Sequence, residues 1–239
     1  STTNSGFSGG HNQGMAAVPG AAHYLILNSD AVLRPGFFDA ILAAADAHPD
    51  AGMIAPRLEW EGGPPQQSCF RFASPQSELI RGAGSGPVTK MLASHVVALE
   101  LPPDPHQIEW ASFAGILLKG DMVRAIGDMD DGYFLYFEDA EYALRATRAG
   151  WGVVYAPDAK AVHFRGGSGP VKKIQAARKR LPAYYWRSRT RFFRQAHGPL
   201  GPLLANLAWI TGRAIAHTRL LAGRAVPPSN QAEWRDIWT

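Results

Sequence analysis

The sequence predicts an α/β fold, a mixed and mainly parallel sheet flanked by helices, with a basic helical extension at its C-terminal end. Three observations predict it. Short apolar runs alternate with amphipathic stretches in the order strand, helix, strand. Hydrophobic residues make up 46% of the 239 and charged residues only 18%, enough for a substantial core and too apolar for disorder. The third is charge: Lys160 to Arg224 holds 14 of the 24 lysines and arginines, and no acidic residue lies between Asp158 and Glu233.

The elements follow in order. Residues 4–14, rich in glycine, predict a tight turn leading into a short helix at Met15–Val18, which Pro19-Gly20 stops. His23–Leu27 is a five-residue apolar run, the pattern of a strand buried on both faces, and it ends in Asn28-Ser29-Asp30. Pro35 sits near the start of a helix whose apolar face carries Phe37, Phe38, Ile41, Leu42 and Ala45. Gly52–Pro56 is the next strand, completing a βαβ unit. Residues 61–106 show weak periodicity and many Gly, Pro, Ser and Gln, and are expected to form a long excursion. Order returns at Trp110–Leu118, followed by a helix around Asp121–Ile126. An aromatic run, Tyr133–Phe137, leads into a helix from Glu138 to Ala149, on which Glu141 and Arg145 are spaced to pair. Val153–Tyr155 and Ala161–Phe164 are expected as two short strands separated by Pro157-Asp158. A basic region with interleaved aromatics then precedes an amphipathic helix over residues 200–222. These patterns divide the chain into a body, 1–169, and an extension, 170–239.

The formal charge of +4 hides a division of labour: outside the basic segment, 10 basic residues stand against 20 acidic ones. An acidic body with a basic tail points the tail at something anionic. Interleaved Arg and aromatic residues suit single-stranded nucleic acid, an anionic membrane surface, or simply a solvated helix packed on the body. The lone Cys69 excludes an internal disulfide, and no Cys/His spacing matches a zinc site. A reducing, cytoplasmic setting is expected, since no signal peptide or membrane-spanning run is present in the sequence.

Four clusters carry potential chemistry. Asn28-Ser29-Asp30 follows a buried strand, where open parallel sheets bind ligands, and its hard oxygen donors suit Mg²⁺ or Mn²⁺. The same residues also serve as turn formers and helix caps. Glu138-Asp139 heads a helix, where the dipole favours an ionised carboxylate able to accept a proton. Acids in a first helical turn also simply stabilise the helix. His163 closes an apolar alternation, positioned either to complete a metal site with Asp30 or to make an ordinary hydrogen bond. The opening glycines Gly6, Gly9, Gly10 and Gly14 do not fit the dinucleotide fingerprint.

The order of these signals is more specific than any one of them. Gly-Phe-Ser-Gly-Gly-His-Asn-Gln-Gly, then Leu-Ile-Leu-Asn-Ser-Asp, then Phe-Leu-Tyr-Phe-Glu-Asp-Ala-Glu-Tyr-Ala-Leu-Arg, then Gly-Trp…Val-His resembles the inverting family-2 glycosyltransferases, most closely their bacterial rhamnosyltransferase-type branch. The resemblance runs from Asn4 to about His197 and implies a GT-A fold, a nucleotide-diphosphate sugar donor and a divalent cation, Mg²⁺ or Mn²⁺. It implies that Asn28 and Asp30 stand in the metal- and diphosphate-binding Asp-x-Asp motif, Asn28 replacing its first Asp. It makes Asp139 the catalytic base with Glu138 beside it, and His163 the histidine that meets the metal. Gly10 and Asn12 are expected near the nucleotide sugar, and Trp110 and Gly115 in the donor-sugar and acceptor pocket.

The implied reaction is inverting transfer of a hexose, rhamnose by analogy, to a glycan or polyprenyl-diphosphate-linked acceptor in cell-surface polysaccharide synthesis. A lipid acceptor favours the membrane reading of the tail over nucleic acid and places the protein peripherally on the inner face of the cell membrane. The family's first nucleotide-binding strands precede the Gly-Phe segment and are absent from this sequence. A truncated chain is therefore expected, with an inactive sugar- or partner-binding remnant as the alternative function.

Overall fold

The computed structural model describes residues 4–165 and 171–239. Its elements, in chain order, are α1 (Gly6–Ala17), β1 (His23–Leu27), β2 (Ala31–Leu33), α2 (Phe37–Ala47), β3 (Ala51–Glu59), β4 (Cys69–Phe70), α3 (Pro75–Ala83), α4 (Gly86–Met91), β5 (Trp110–Ala111), β6 (Gly115–Lys119), α5 (Gly120–Ile126), α6 (Glu138–Arg148), β7 (Gly152–His163), α7 (Val171–Ala176), α8 (Ala183–His197), α9 (Gly201–His217) and α10 (Glu233–Asp236). The chain divides into two compact units, Ser1–Phe72 with Ala98–Gly169, and Ala73–Val97 with Pro170–Thr239. The expected boundary at 169/170 lies outside the described residues.

The first unit is built on a five-stranded sheet in the order β1-β6-β3-β7-β2. β1, β3 and β7 run in one direction, β3 pairing parallel with β7, while β6 and β2 run against them. The predicted βαβ unit is present, β1-α2-β3, with antiparallel β6 inserted between its strands. Side chains alternate across a pleated strand, so each strand feeds two cores. Met53, Ala55, Ile116 and Leu118 pack on one face with Met15 of α1, Met122 of α5 and Tyr142, Ala143 and Ala146 of α6. Ile54, Leu58 and Leu117 pack on the other with Phe37, Ile41 and Ala45 of α2. Burial on both faces is why β3 reads as an almost unbroken apolar run.

Several elements differ from expectation. The Gly-rich opening is helical from Gly6 to Ala17, rather than a turn with a helix beginning at Met15. Gly6 lies at φ +76°, and a Cβ there would come within 2.4 Å of the Phe134 carbonyl oxygen. Phe7 N–H donates to that same oxygen at 2.8 Å. Tertiary docking at this end supports a helix that composition disfavours. The two strands expected around Pro157-Asp158 are one, β7, because the β3 register jumps from Pro56↔Ala156 to Arg57↔Lys160 and residues 157–159 bulge out of the ladder. β2, hidden behind turn-forming Asn28-Ser29-Asp30, pairs Ala31 with His163. The excursion at 61–106 contains β4, α3 and α4, and residues 73–97 group with the C-terminal segment.

In the second unit, α9 packs on α3 and α8. A buried polar network joins them: Arg189 donates to Glu78 at 2.9 Å and to Asn206 at 2.8 Å, and Asn206 donates to the Ile237 carbonyl at 2.8 Å. Arg81 pairs with Glu78 and Glu233. The helix expected over 200–222 is α9, followed by a 3₁₀ turn at Thr218–Ala222.

Candidate active site

Because β1, β3 and β7 share a direction, their carboxyl ends meet at one edge of the sheet, where β1 delivers Asn28–Asp30 and β7 delivers His163. The antiparallel β2–β7 ladder fixes the approach. Phe164 N–H donates to the Asp30 carbonyl at 2.9 Å, and the His163 Nε2 lies 3.4 Å from Asp30 Oδ1. Both side chains are largely buried. Fully buried Gln66 steadies this end of β7, donating to the carbonyls of His163 at 2.6 Å and Glu59 at 2.8 Å while its Oε1 accepts from Arg165 Nε at 2.6 Å. Arg165 also lies over the Trp60 ring, 4.7 Å from its centroid. One carboxylate and one imidazole form a two-ligand set that suits a divalent ion whose other positions are taken by phosphate and water oxygens. Among the described residues, no cluster of three or more His, Cys, Asp or Glu side chains converges as a metal cage.

Beside this edge lies a cavity of about 360 Å³ lined by Gly6, Phe7 and His11 of α1, by Leu27, Asn28 and Ser29, and by Asn4, Phe134 and Leu135. Asn28 therefore lines the cavity, next to Asp30. Phe7 and His11 are absent from the expected set. They lie one helical turn apart, their rings 4.3 Å between centroids, and burial pushes the His11 imidazole below the usual histidine range, so that it is neutral near pH 7. The i, i+4 spacing is the signal that would have found them, had the segment been read as helical.

The other expected residues have different surroundings. Gly10 is exposed on α1 with open space where a Cβ would go. The Asn12 amide is committed to the Met129 backbone, donating to its carbonyl at 2.8 Å and accepting its N–H at 3.0 Å. Gly115 opens β6 in the core, its Cβ position facing Leu58, Pro56 and Leu27 at 3.4–3.7 Å. Trp110, on β5 beside α6, stacks on Phe70 and donates to the Arg71 carbonyl at 2.9 Å. None of these four lines the cavity.

Glu138 and Asp139 begin α6, entered through two consecutive non-glycine residues in the left-handed region, Tyr136 and Phe137, both at φ 70°. Such residues typically cost about 1–3 kcal/mol each and persist only where the surroundings hold them. Here the docking of α1 onto Phe134 braces the same segment. Glu138 is buried, and desolvation together with the neighbouring Asp139 charge raises its carboxyl well above the ordinary range. Asp139 is half-buried, with Oδ1 accepting the Ala140 N–H at 2.9 Å. Further along the helix, Glu141 pairs with Arg145 at 2.7 Å as its spacing predicts.

No protein-family model matches the chain. Two curated relatives, from Mycobacterium tuberculosis strains CDC 1551 / Oshkosh and ATCC 25618 / H37Rv, are 29% identical to it over 163 residues, and both bear the name N-acetylglucosaminyl-diphospho-decaprenol L-rhamnosyltransferase. The match covers 65% of this chain and 52% of each relative, so the chain spans about half the length of the curated relatives it matches. The chain resembles the family-2 glycosyltransferases. Among solved structures, GalNAc-T7 with UDP, GalNAc and Mn²⁺ superposes with a TM-score of 0.51 at 12% identity, over 95% of this chain and 46% of that one. The mannosyltransferase PcManGT from Pyrobaculum calidifontis, in complex with GDP-Man and Mn²⁺, matches with a TM-score of 0.48 at 14% identity, over 92% and 56%. The first unit thus has the GT-A-like architecture that the resemblance implied, and the sheet edge carrying Asp30 and His163 is the edge where α/β folds of this kind take their ligands.

Proposed function

We propose that this chain carries the transfer site of an inverting glycosyltransferase, which moves a sugar from a nucleoside-diphosphate donor to the hydroxyl of a glycan or lipid-linked acceptor. The observation that carries this reading is the meeting of Asp30 and His163, distant in sequence, at the carboxyl edge of β1 and β7 beside a cavity lined by Asn28. The name of the Mycobacterium relatives makes a diphospho-polyprenol-linked N-acetylglucosamine the acceptor class to test first, with rhamnose as the donor sugar.

Asp30 and His163 would hold a divalent ion, with Asn28 on the cavity wall beside them to receive the donor's diphosphate. When bound, that ion offsets the negative charge that gathers on the departing nucleoside diphosphate. Asp139 is the base. It takes the acceptor hydroxyl proton as that oxygen attacks the anomeric carbon from the face opposite the leaving group, so configuration inverts in a single displacement. Burial pushes the Glu138 carboxyl toward its neutral form, which limits the negative charge beside the base.

Asp139→Asn is expected to lower turnover by about 10²–10⁴-fold. Thermal stabilisation by manganese with a nucleoside diphosphate should survive in that variant and disappear in Asp30→Asn. Stabilisation by a ligand at a hundred times its Kd amounts to about 2.7 kcal/mol, well within reach of a melting experiment. Wild-type turnover by Asp139→Asn, or an unaltered manganese response in Asp30→Asn, overturns the assignment.

A further inference from the structure

Arg165 lies two residues beyond His163 and has no part in the transfer proposed above. The chain turns at this point. Arg165 is at φ 56°, in the left-handed region, where a residue with a side chain stays only if its surroundings hold it. Two neighbours do so. Gln66 is 2% exposed, and its Nε2 spends both hydrogens on backbone carbonyls, those of Glu59 and His163. Its Oε1 is therefore left as a buried acceptor that needs a donor, and Arg165 Nε supplies one at 2.6 Å. The Trp60 ring, whose centroid is 4.7 Å from the guanidinium carbon, sets the place of the cation from a second side. A long and flexible side chain is thus fixed before anything binds to it, which lowers the entropy that binding would cost.

The charge so fixed is left open. Four other arginines of the first unit end on carboxylates: Arg34 and Arg57 on Glu59, Arg124 on Asp121, and Arg145 on Glu141. Arg165 makes no ion pair among the described residues. Its inner edge is occupied, Nε by Gln66 and Nη2 by the Gln67 carbonyl at 3.4 Å. Nη1, with two hydrogens, meets no acceptor among the described residues. A planar fork with an open outer edge fits two oxygens of one phosphate group. Its anchorage puts it at the transfer site. The Gln66 amide touches both the His163 carbonyl and Arg165 Nε, and the Phe164 N–H between those residues donates to the Asp30 carbonyl at 2.9 Å. The fork is therefore tied to the sheet edge where Asp30 and His163 meet.

We propose that Arg165 is a phosphate-binding residue of the transfer site, its outer guanidinium edge taking two oxygens of a diphosphate. This rests on the transfer reading, which brings two diphosphates to that edge. One belongs to the donor and leaves with its nucleoside; the other is the linker of a lipid-linked acceptor. Both present the same oxygens to the fork, and the experiment separates them.

The test is calorimetric titration of the full chain and of Arg165→Gln with two kinds of ligand. One is a nucleoside diphosphate (UDP, GDP and dTDP in turn) with Mn²⁺. The other is N-acetylglucosamine diphosphate on a short, water-soluble prenyl chain, without metal. Removing an arginine fork from a phosphate is expected to weaken binding by about tenfold or more, and whichever ligand is weakened carries the diphosphate that Arg165 holds. Arg165→Lys keeps the charge without the fork and should recover only part of the loss. Hydrogen exchange of β7 should match the wild type in Arg165→Gln, because Gln66 keeps its bonds to the Glu59 and His163 carbonyls. Weaker binding together with a loosened β7 would make Arg165 a brace for His163 alone, and overturns the inference. So does unchanged affinity of Arg165→Gln for both ligands. Loss of nucleoside diphosphate binding in Asp30→Asn would then leave the transfer reading standing without Arg165. A wild type that binds neither ligand removes the transfer reading, and this inference with it.

Discussion

Glu138 occupies a costly position. Its side chain is buried at the head of α6 with Oε2 lacking a hydrogen-bond partner, and Asp139 adds a like charge beside it. Its carboxyl is therefore raised above the ordinary 4.5, and the sign of the consequence is fixed. Between 4.5 and the folded-state value the unfolded chain has released this proton and the native one has not. Stability is fully present below 4.5 and is lost as pH rises through that window, by about 1.4 kcal/mol per pH unit. Glu138→Gln removes the ionisation while keeping the shape. The variant should match the wild type in urea denaturation near pH 4 and become progressively more stable than it as pH rises, a divergence absent if Glu138 were solvated. Asp30 and His163 show how much of the site a sequence can disclose. Their residue types and strand-end positions were legible, and the β2–β7 ladder that joins them was not, because three residues of strand behind a turn leave no periodic signal. Phe7 and His11 were hidden for the opposite reason: the segment's glycines suggested a turn, and it is helical because Gly6 docks against Phe134 and Asn12 holds Met129.

At the scale of elements, apolar pattern predicts well where one helix or strand faces a core and poorly where two backbones touch. β1, α2 and α6 lie close to where their runs and caps place them, since each buries large side chains at regular spacing. The pairing of α3 with α9 depends instead on what is missing, the side chains of Gly82 and Gly212, and it drew residues 73–97 into the second unit from a stretch that looked irregular. An exposed helical glycine replaced by alanine gains roughly 0.5–1 kcal/mol from propensity. Gly212→Ala should instead lose about 1–3 kcal/mol, because its Cβ would meet both the Leu79 carbonyl oxygen at 2.4 Å and the Ala83 nitrogen at 2.7 Å, backbone atoms that cannot rotate away. Leu207→Ala, on the opposite face of the same helix, should stay within about 0.5 kcal/mol of the wild type. Denaturation of the two variants side by side checks this packing directly, and the reverse ranking would place Leu207 inside.

The two units carry opposite electrostatic burdens, and the whole molecule should answer to pH in two directions. In the first unit one buried acid is Glu138, whose Oε2 has no hydrogen-bond partner. In the second it is Glu78, and burial, which alone would raise its carboxyl, is outweighed by the charges of Arg81 and Arg189 and their hydrogen bonds, so that it falls below the ordinary 4.5. For Glu78 the window is reversed. Below 4.5 the unfolded chain takes up the proton before the native one does, so its contribution is complete above 4.5 and is lost as pH falls through the lower folded value. Because Glu78 and Arg189 are both buried, protonating the carboxylate leaves an unpaired cation inside, a loss of the kind that costs about 3–5 kcal/mol when one partner is removed. Hydrogen exchange, corrected for the intrinsic pH dependence of the amide rate, resolves the two units by peptide. Peptides from α3, α8 and α9 should lose protection as the solution is acidified below 4.5, while those from α6 and its neighbours on the sheet hold. Raising the pH from 4.5 should weaken α6 first and leave α3, α8 and α9 unchanged. In Arg189→Met the acid-side loss should already be present at neutral pH, confined to the second unit. A single transition that moves every peptide together at both extremes would mean that the chain stands or falls as one cooperative body, with neither acid governing a unit of its own.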